Sequence, residues 1–212
     1  MHSPLAERER GRLVEAMLPD VPFDGWSNRA LRLAARNTGI GYAEALALFP
    51  GGARDFVAVF SRWADRQMLD RLEGAVLDEL SLSVRIALAL RVRLEVLAPH
   101  REAVRRGLSL LALPPYAPLG LRLIYETVDG IWYAVGDAST DFSFYTKRAT
   151  LAGIYGAAML YWLDDCSPGL TDTEAFIDRR LADLHRFAGF RNWVEATAER
   201  LPNPLRILRP SR

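Results

Sequence analysis

An all-α fold of nine or ten helices is what this chain predicts, on three observations. Apolar residues recur three and four positions apart along almost the whole sequence, the spacing that lines one face of a helix. Alternating runs of β-branched residues between paired turn signals, the mark of strands, are lacking. Helix stop and start signals fall between the periodic segments, at Pro19 and Pro22, Ser27, Gly39 and Pro50-Gly51-Gly52.

The elements follow in order. Leu5 to Leu18 is amphipathic and stops before Pro19. Ser27 can accept a hydrogen bond from the first turn of a second helix that turns Ala30, Leu31, Ala34 and Ala35 inward and closes at Gly39 or Gly41. A short helix over Ala43 to Phe49 precedes a long one from about Arg54 to Ala75, with Phe56, Val59, Phe60, Trp63 and Leu72 on its buried side. Ser83 to Leu97, Arg101 to Leu113 and Leu119 to Val135 continue the pattern. In the last, Leu121, Ile124, Tyr125, Val128, Ile131, Trp132 and Val135 read as one stripe. The next helix opens near GDASTDFSFYTKRA and runs to Asp164, through a centre, AGIYGAAML, rich in glycine and alanine. Thr171 and Glu174 have the capping-box spacing for a helix to about Ala188, and RNWVEATAERL extends it or forms a tenth. Residues 1–75 then form a small head with its connecting helix and residues 76–212 a larger helical body, together one structural unit.

The 212 residues carry 27 basic and 26 acidic side chains, net +1, so no global field draws in nucleic acid or an anionic bilayer. All the basic residues except Lys147 are arginine, which together with abundant alanine reads as the coding bias of a high-GC bacterium. Cys166 is alone, so no intrachain disulfide or cysteine-based zinc site is expected. The charged N-terminal segment does not resemble a secretory signal, and no window reaches eighteen uncharged apolar residues. A soluble, cytoplasmic protein is expected.

Catalytic signatures are missing. There is no GxSxG elbow, P-loop, GxGxxG or HExxH, the three histidines are far apart, and Asp164-Asp165-Cys166 sits where turn chemistry explains it. A non-enzyme without metal is the expectation. An unrecognised enzyme using Asp137, Asp141 and Tyr145 as acid and base is the weaker alternative.

The first helices have a helix-turn-helix layout, with Gly39-Ile40 as the turn and Tyr42 to Phe49 where a reading helix would lie. That helix offers Glu44 and no cation, and residues 1–75 hold ten arginines against ten acids, so DNA binding is disfavoured. A small head of this layout on a larger helical body resembles the tetracycline-repressor type, and a ligand-responsive repressor is the second functional reading.

A narrower likeness comes from residues 131–181. Trp132, Gly136-Asp137, Ser139 to Phe142, Tyr145 to Ala149, Asp165, Ser167-Pro168 and Phe176 match the pattern W, GD-x-STDF-x-W-Y-T-[KR]-RA, D-x-SP and T-x-x-F. With Phe23, Gly25-Trp26-Ser27, Ala34-Ala35 and Phe49-Pro50-Gly51, the chain resembles the coenzyme Q (ubiquinone) biosynthesis accessory protein family. Phe144 stands where the family has tryptophan, which removes an indole N–H donor.

The resemblance implies a repressor-like fold that no longer reads DNA, a homodimer, no cofactor, and a bound isoprenoid, quinone intermediate or phospholipid. It further implies a demethoxyubiquinone-type hydroxylase or another ubiquinone-biosynthesis enzyme as partner, and transient contact with the inner membrane face. Trp132, Asp137, Asp141, Phe144, Tyr145, Lys147 and Arg148 would form the docking patch, their aromatics rimmed by charge as interface cores are. Alternatively Ser139 and Thr140 cap a helix whose aromatics turn inward. Ile124, Val128 and Ile131 face Leu151, Ile154, Tyr155, Ala158 and Met159 as lipid-facing candidates. The small Gly153, Gly156, Ala157 and Ala158 leave volume there that neighbouring side chains fill or a lipid occupies, and the sequence leaves both open. Where the family often carries a long terminal amphipathic helix, this chain has about twenty residues after Gly189 with three prolines. Phe190, Trp193, Val194 and Leu201 form one apolar face there, suited to packing on the chain's own core or to weak membrane contact.

Overall fold

A computed structural model describes residues 4–74, 79–136 and 142–183. Among them the regular structure is helical, and no strand occurs. The first helix, α1 (Pro4–Met17), packs on α3 (Asn28–Thr38) and, after the short α4 (Tyr42–Ala47), on the long α5 (Ala53–Glu73). Between α1 and α3 lies a single turn, α2 (Val21–Asp24), that periodicity does not announce. Pro22 reads as a breaker in sequence but sits in the first turn of α2, where a missing N–H costs no helical hydrogen bond.

Caps follow the local chemistry. Ser27 Oγ accepts from the Ala30 amide at 3.3 Å, and Ala30, Leu31, Ala34 and Ala35 are buried as the spacing predicts. Gly39, at φ +74°, ends α3 in the left-handed conformation, its amide directed back to the Ala35 and Arg36 carbonyls. Leu13, Val14, Met17, Leu31, Phe49 and Phe56 close the head's core, with the Phe49 and Phe56 rings edge-on at 4.9 Å.

The body comprises α6 (Leu82–Leu97), a 3₁₀ turn (Ala98–His100), α7 (Arg101–Leu111), α8 (Ala117–Ala134), α9 (Phe142–Asp164), a second 3₁₀ turn (Pro168–Leu170) and α10 over 171–183. The 21-residue α5, about 31 Å long at 1.5 Å per residue, is the shared spine and packs on α6 and α8, while α8 packs on α9. Head and body are tied by Trp26, whose indole N–H donates to the Ala103 carbonyl at 3.0 Å; within the head its ring lies 5.2 Å from Phe60 of α5. Arg106 adds a second tie by donating to the Pro22 carbonyl at 2.7 Å.

Two local expectations are corrected. Leu121 and Tyr125, read as part of one apolar stripe, are 70% and 45% exposed, and the buried arc of α8 is instead Leu123, Thr127, Val128, Ile131 and Trp132. Thr171 is already helical and does not cap α10. Asp165 does so instead: its carboxylate accepts from the Ser167 amide at 2.7 Å, the Thr173 amide at 2.9 Å and the Thr173 hydroxyl. Burial opposes its charge, but these hydrogen bonds more than offset that and hold Asp165 well below the usual carboxylate range.

Candidate functional site

A cavity of about 500 Å³ lies between α5, α6, α7, α8 and α9. Val57 and Phe60 reach it from α5, Leu97 from α6, and Val104, Leu108 and Leu111 from α7. Ile124 and Leu123 contribute from α8, and Tyr155, Gly156 and Met159 from α9. Such a volume falls in the range of about 300–1,000 Å³ typical of small-molecule pockets.

Glycines shape it in two ways. A Cβ on Gly107 would come within 3.4 Å of Val57 Cγ1, and one on Gly120 within 3.4 Å of Leu111 Cβ, so these two let α7 approach α5 and α8 approach α7. A Cβ on Gly156 would meet nothing within 4 Å. Its missing side chain is part of the open volume.

One edge of the cavity is polar. Arg93, 1% exposed, projects from α6; its Nε donates to Asp65 Oδ1 at 3.0 Å and its Nη2 to the Ser61 carbonyl at 3.1 Å. Thr127 Oγ1 also donates to Asp65 Oδ1 at 2.8 Å and lies 3.1 Å from the Leu123 carbonyl, while the Tyr155 phenol hydrogen-bonds with Thr127. Burial raises the Asp65 carboxyl above its ordinary value, against the opposing charge of Arg93 and the bond from Thr127. Burial likewise pushes the Tyr155 phenol up. The remaining wall is aliphatic and aromatic, a surface that excludes water and offers dispersion contacts to an apolar guest.

Beside the cavity, the end of α8 and the start of α9 are knitted together. Trp132 is buried, with the Lys147 ammonium 5.7 Å from its ring centre. The buried Arg148 donates through Nε to Asp129 at 2.7 Å. Gly136, at φ +83°, turns the chain out of α8, and Arg85 donates to the Val135 carbonyl at 3.2 Å just before it.

Comparison with known proteins bears on all of this. Residues 117–188 match the COQ9 family model. The chain is 32% identical over 207 residues to "Ubiquinone biosynthesis protein COQ9, mitochondrial" of Rattus norvegicus, covering 92% of this chain and 64% of that protein. It is also 32% identical over 200 residues to "Ubiquinone biosynthesis protein COQ9-B, mitochondrial" of Xenopus laevis, with 91% and 68% covered. The chain belongs to the COQ9 family. It spans a little under two thirds of the rat relative. Its fold is that of the TetR transcriptional regulator from Nitrosomonas europaea ATCC 19718, with a TM-score of 0.66 over 82% of this chain and 97% of that one. At 20% identity, that likeness concerns the fold alone.

Within this COQ9-family chain the residues singled out by sequence fall in several places. Ile124, Tyr155 and Met159 line the cavity. Val128, Ile131, Leu151, Ile154 and Ala158 are buried in the core around it and do not reach its wall. Gly153 and Ala157 face outward on α9. Trp132 and Arg148 are interior, so in a docking patch they would stand beneath the contact surface. Asp137, Asp141 and the side chains of Phe144 and Tyr145 lie outside the described residues, as do Phe190, Trp193, Val194 and Leu201. Cys166 is exposed. Among the described residues no acidic, histidine or cysteine cluster suits a metal, and no helix is long and apolar enough to cross a membrane.

What pattern reading missed in this family member is the polar edge. A signal was present: Ile86, Leu90, Arg93 and Leu97 share one face of α6, so the periodicity already places a cation among buried apolar neighbours.

Proposed function

We propose that this chain serves ubiquinone biosynthesis as a non-catalytic accessory protein. In this reading the cavity shelters an isoprenoid, a quinone intermediate or a phospholipid and offers it to a demethoxyubiquinone-type hydroxylase. The observation that carries it is the apolar cavity of about 500 Å³ in a chain of the COQ9 family. Taking a lipid chain out of water is worth about 0.8 kcal/mol per methylene, so such a protein lowers the cost of moving a polyprenyl compound at a membrane face. The segment from Trp132 to Arg148 is the docking patch, and the exposed face of α8 and α9, with Leu121, Tyr125, Tyr133 and Leu160, joins two copies into a homodimer. Peripheral contact with the inner membrane face completes the picture.

Mass spectrometry of organic extracts from the protein purified without detergent tests the lipid reading. A co-purifying polyprenyl quinone or isoprenoid supports it, and an extract without lipid from a folded protein refutes it. Asp141→Ala and Tyr145→Ala test the docking patch. They should lower ubiquinone and accumulate the demethoxy intermediate while the protein stays folded; normal quinone pools in both would dismiss the patch.

The repressor-like fold favours a second reading, a ligand-responsive transcriptional repressor. The exposed positions of α4 argue against it, since Ala43, Glu44, Leu46 and Ala47 offer nothing to a phosphate or base edge. Sequence-specific retention of DNA with a steep salt dependence would revive it.

A further inference from the structure

The polar edge of the cavity holds a donor that the described residues leave unmatched. Arg93 Nε and Nη2 have their acceptors, but Nη1, fully buried, finds none among the described residues. A buried N–H without an acceptor is unfavourable, and more so on a charged group. Next to it, the Thr127 hydroxyl directs its proton toward Asp65 and Leu123, and the neighbouring Tyr155 phenol, hydrogen-bonded with Thr127, adds a second polar group to the same edge. Arg93 and Tyr155 both belong to the cavity lining.

Charge decides what fits there. Arg93 is the one charged side chain among the described residues of that lining, and Asp65 already neutralises it at 3.0 Å. A carboxylate or phosphate head would therefore bring an uncompensated negative charge into an apolar enclosure. A neutral oxygen brings only lone pairs, which Nη1 needs. A pure hydrocarbon leaves Nη1 as it is.

We infer that the Arg93–Thr127–Tyr155 edge selects a neutral ligand that carries a carbonyl oxygen on a long apolar chain, with the carbonyl accepting from Arg93 Nη1 and the chain lying along the aliphatic wall. This rests on the lipid-binding reading and sharpens it by naming the head that the pocket reads. Arg93 acts as a specificity-determining residue, and Tyr155 supplies a second polar contact for any hydroxyl beside the carbonyl.

The test is competition on the full chain, stripped of co-purified lipid. Protein is incubated with an equimolar mixture of a sixteen-carbon methyl ketone, the sixteen-carbon alkane and palmitate, separated from free ligand, and its extract quantified by mass spectrometry. Wild type should retain the ketone at least about tenfold over palmitate, as one hydrogen bond from a charged donor allows. The ketone-to-alkane ratio should fall about tenfold in the double variant Arg93→Met with Asp65→Asn, which removes both charges together so that no lone ion stays buried. Comparing that ratio between proteins cancels the ligands' different partition from water. Tyr155→Phe keeps the ring and the packing, and should lower retention of a sixteen-carbon hydroxyketone about threefold while leaving the simple ketone unchanged. It decides the matter with the wild-type selectivity if the double variant does not fold. Palmitate retained as well as the ketone, or a ratio unchanged in the folded double variant, overturns the assignment while leaving lipid binding intact. Retention of none of the three probes overturns the lipid-binding reading itself, and this inference with it.

Discussion

Substituting Gly156 with leucine separates a cavity from ordinary core. Gly156 lines the cavity in the middle of α9, its φ is not positive, and an added Cβ would touch nothing within 4 Å. Replacing a mid-helix glycine by a good helix former recovers about 0.5–1 kcal/mol of backbone entropy, and the new side chain buries apolar carbon besides. In a chain of this length each kcal/mol moves the melting temperature by about 2–4 °C, so propensity alone should raise it by about 1–4 °C. The same leucine occupies volume a ligand needs, so co-purifying lipid should fall several-fold. Gly120→Leu is the control: its Cβ would already lie 3.4 Å from Leu111 Cβ, and the larger side chain has to displace that residue, at a cost of about 1–3 kcal/mol. Melts followed by circular dichroism must use lipid-stripped protein, because a bound ligand stabilises by mass action. A Gly156→Leu protein that melts lower than wild type, or one that keeps its full lipid load, would refute the reasoning.

Asp165→Ala removes the acceptor of the Thr173 amide and hydroxyl at the start of α10 and should cost about 1–2 kcal/mol near neutral pH, read as a drop in melting temperature. Because Asp165 is held below its ordinary value of 3.8, its contribution is complete above that pH and is lost as the pH falls through the folded value; wild type and variant melts should therefore converge in strong acid. Gly39→Ala should cost about 1 kcal/mol: nothing lies within 4 Å of the added Cβ, so the whole effect is the left-handed φ, and an unchanged melt would contradict it. His100 sits against Phe60 and Trp63, and burial lowers its pKa against the opposing charge of Glu15. The unfolded chain then takes up this proton more readily, so stability should be complete above about pH 6.5 and decline below it, and His100→Phe should flatten that part of a pH series of melts.

Much of the fold was legible because helix formation is local. The 3.6-residue period, the Ser27 cap and the Gly39 stop depend on neighbours within a turn or two, and α3 and α5 lie within a few residues of where these signals put them. The cap of α10 was misread for a related reason. Thr171 has the right spacing to Glu174, but Asp165 accepts from the Thr173 amide of the first turn across the Ser167–Pro168 turn, a path that spacing does not encode. The buried arc of α8 was drawn too wide, since periodicity marks Leu121 and Tyr125 as apolar without saying whether another helix stands opposite them.

By itself, then, the sequence determined the helical class, the order of the elements, the neutral head and the family segment from Trp132 to Leu181, all carried by residue types at short separations. The cavity was decided only by tertiary structure. A void is the space left when five helices have packed, and it depends on Gly107 and Gly120 setting helix approach while Gly156 leaves room. The polar edge was decided there too: Arg93, Asp65, Thr127 and Tyr155 come from four helices and are separated by tens of residues, and only the fold makes a buried arginine both neutralised and, among the described residues, short of one acceptor.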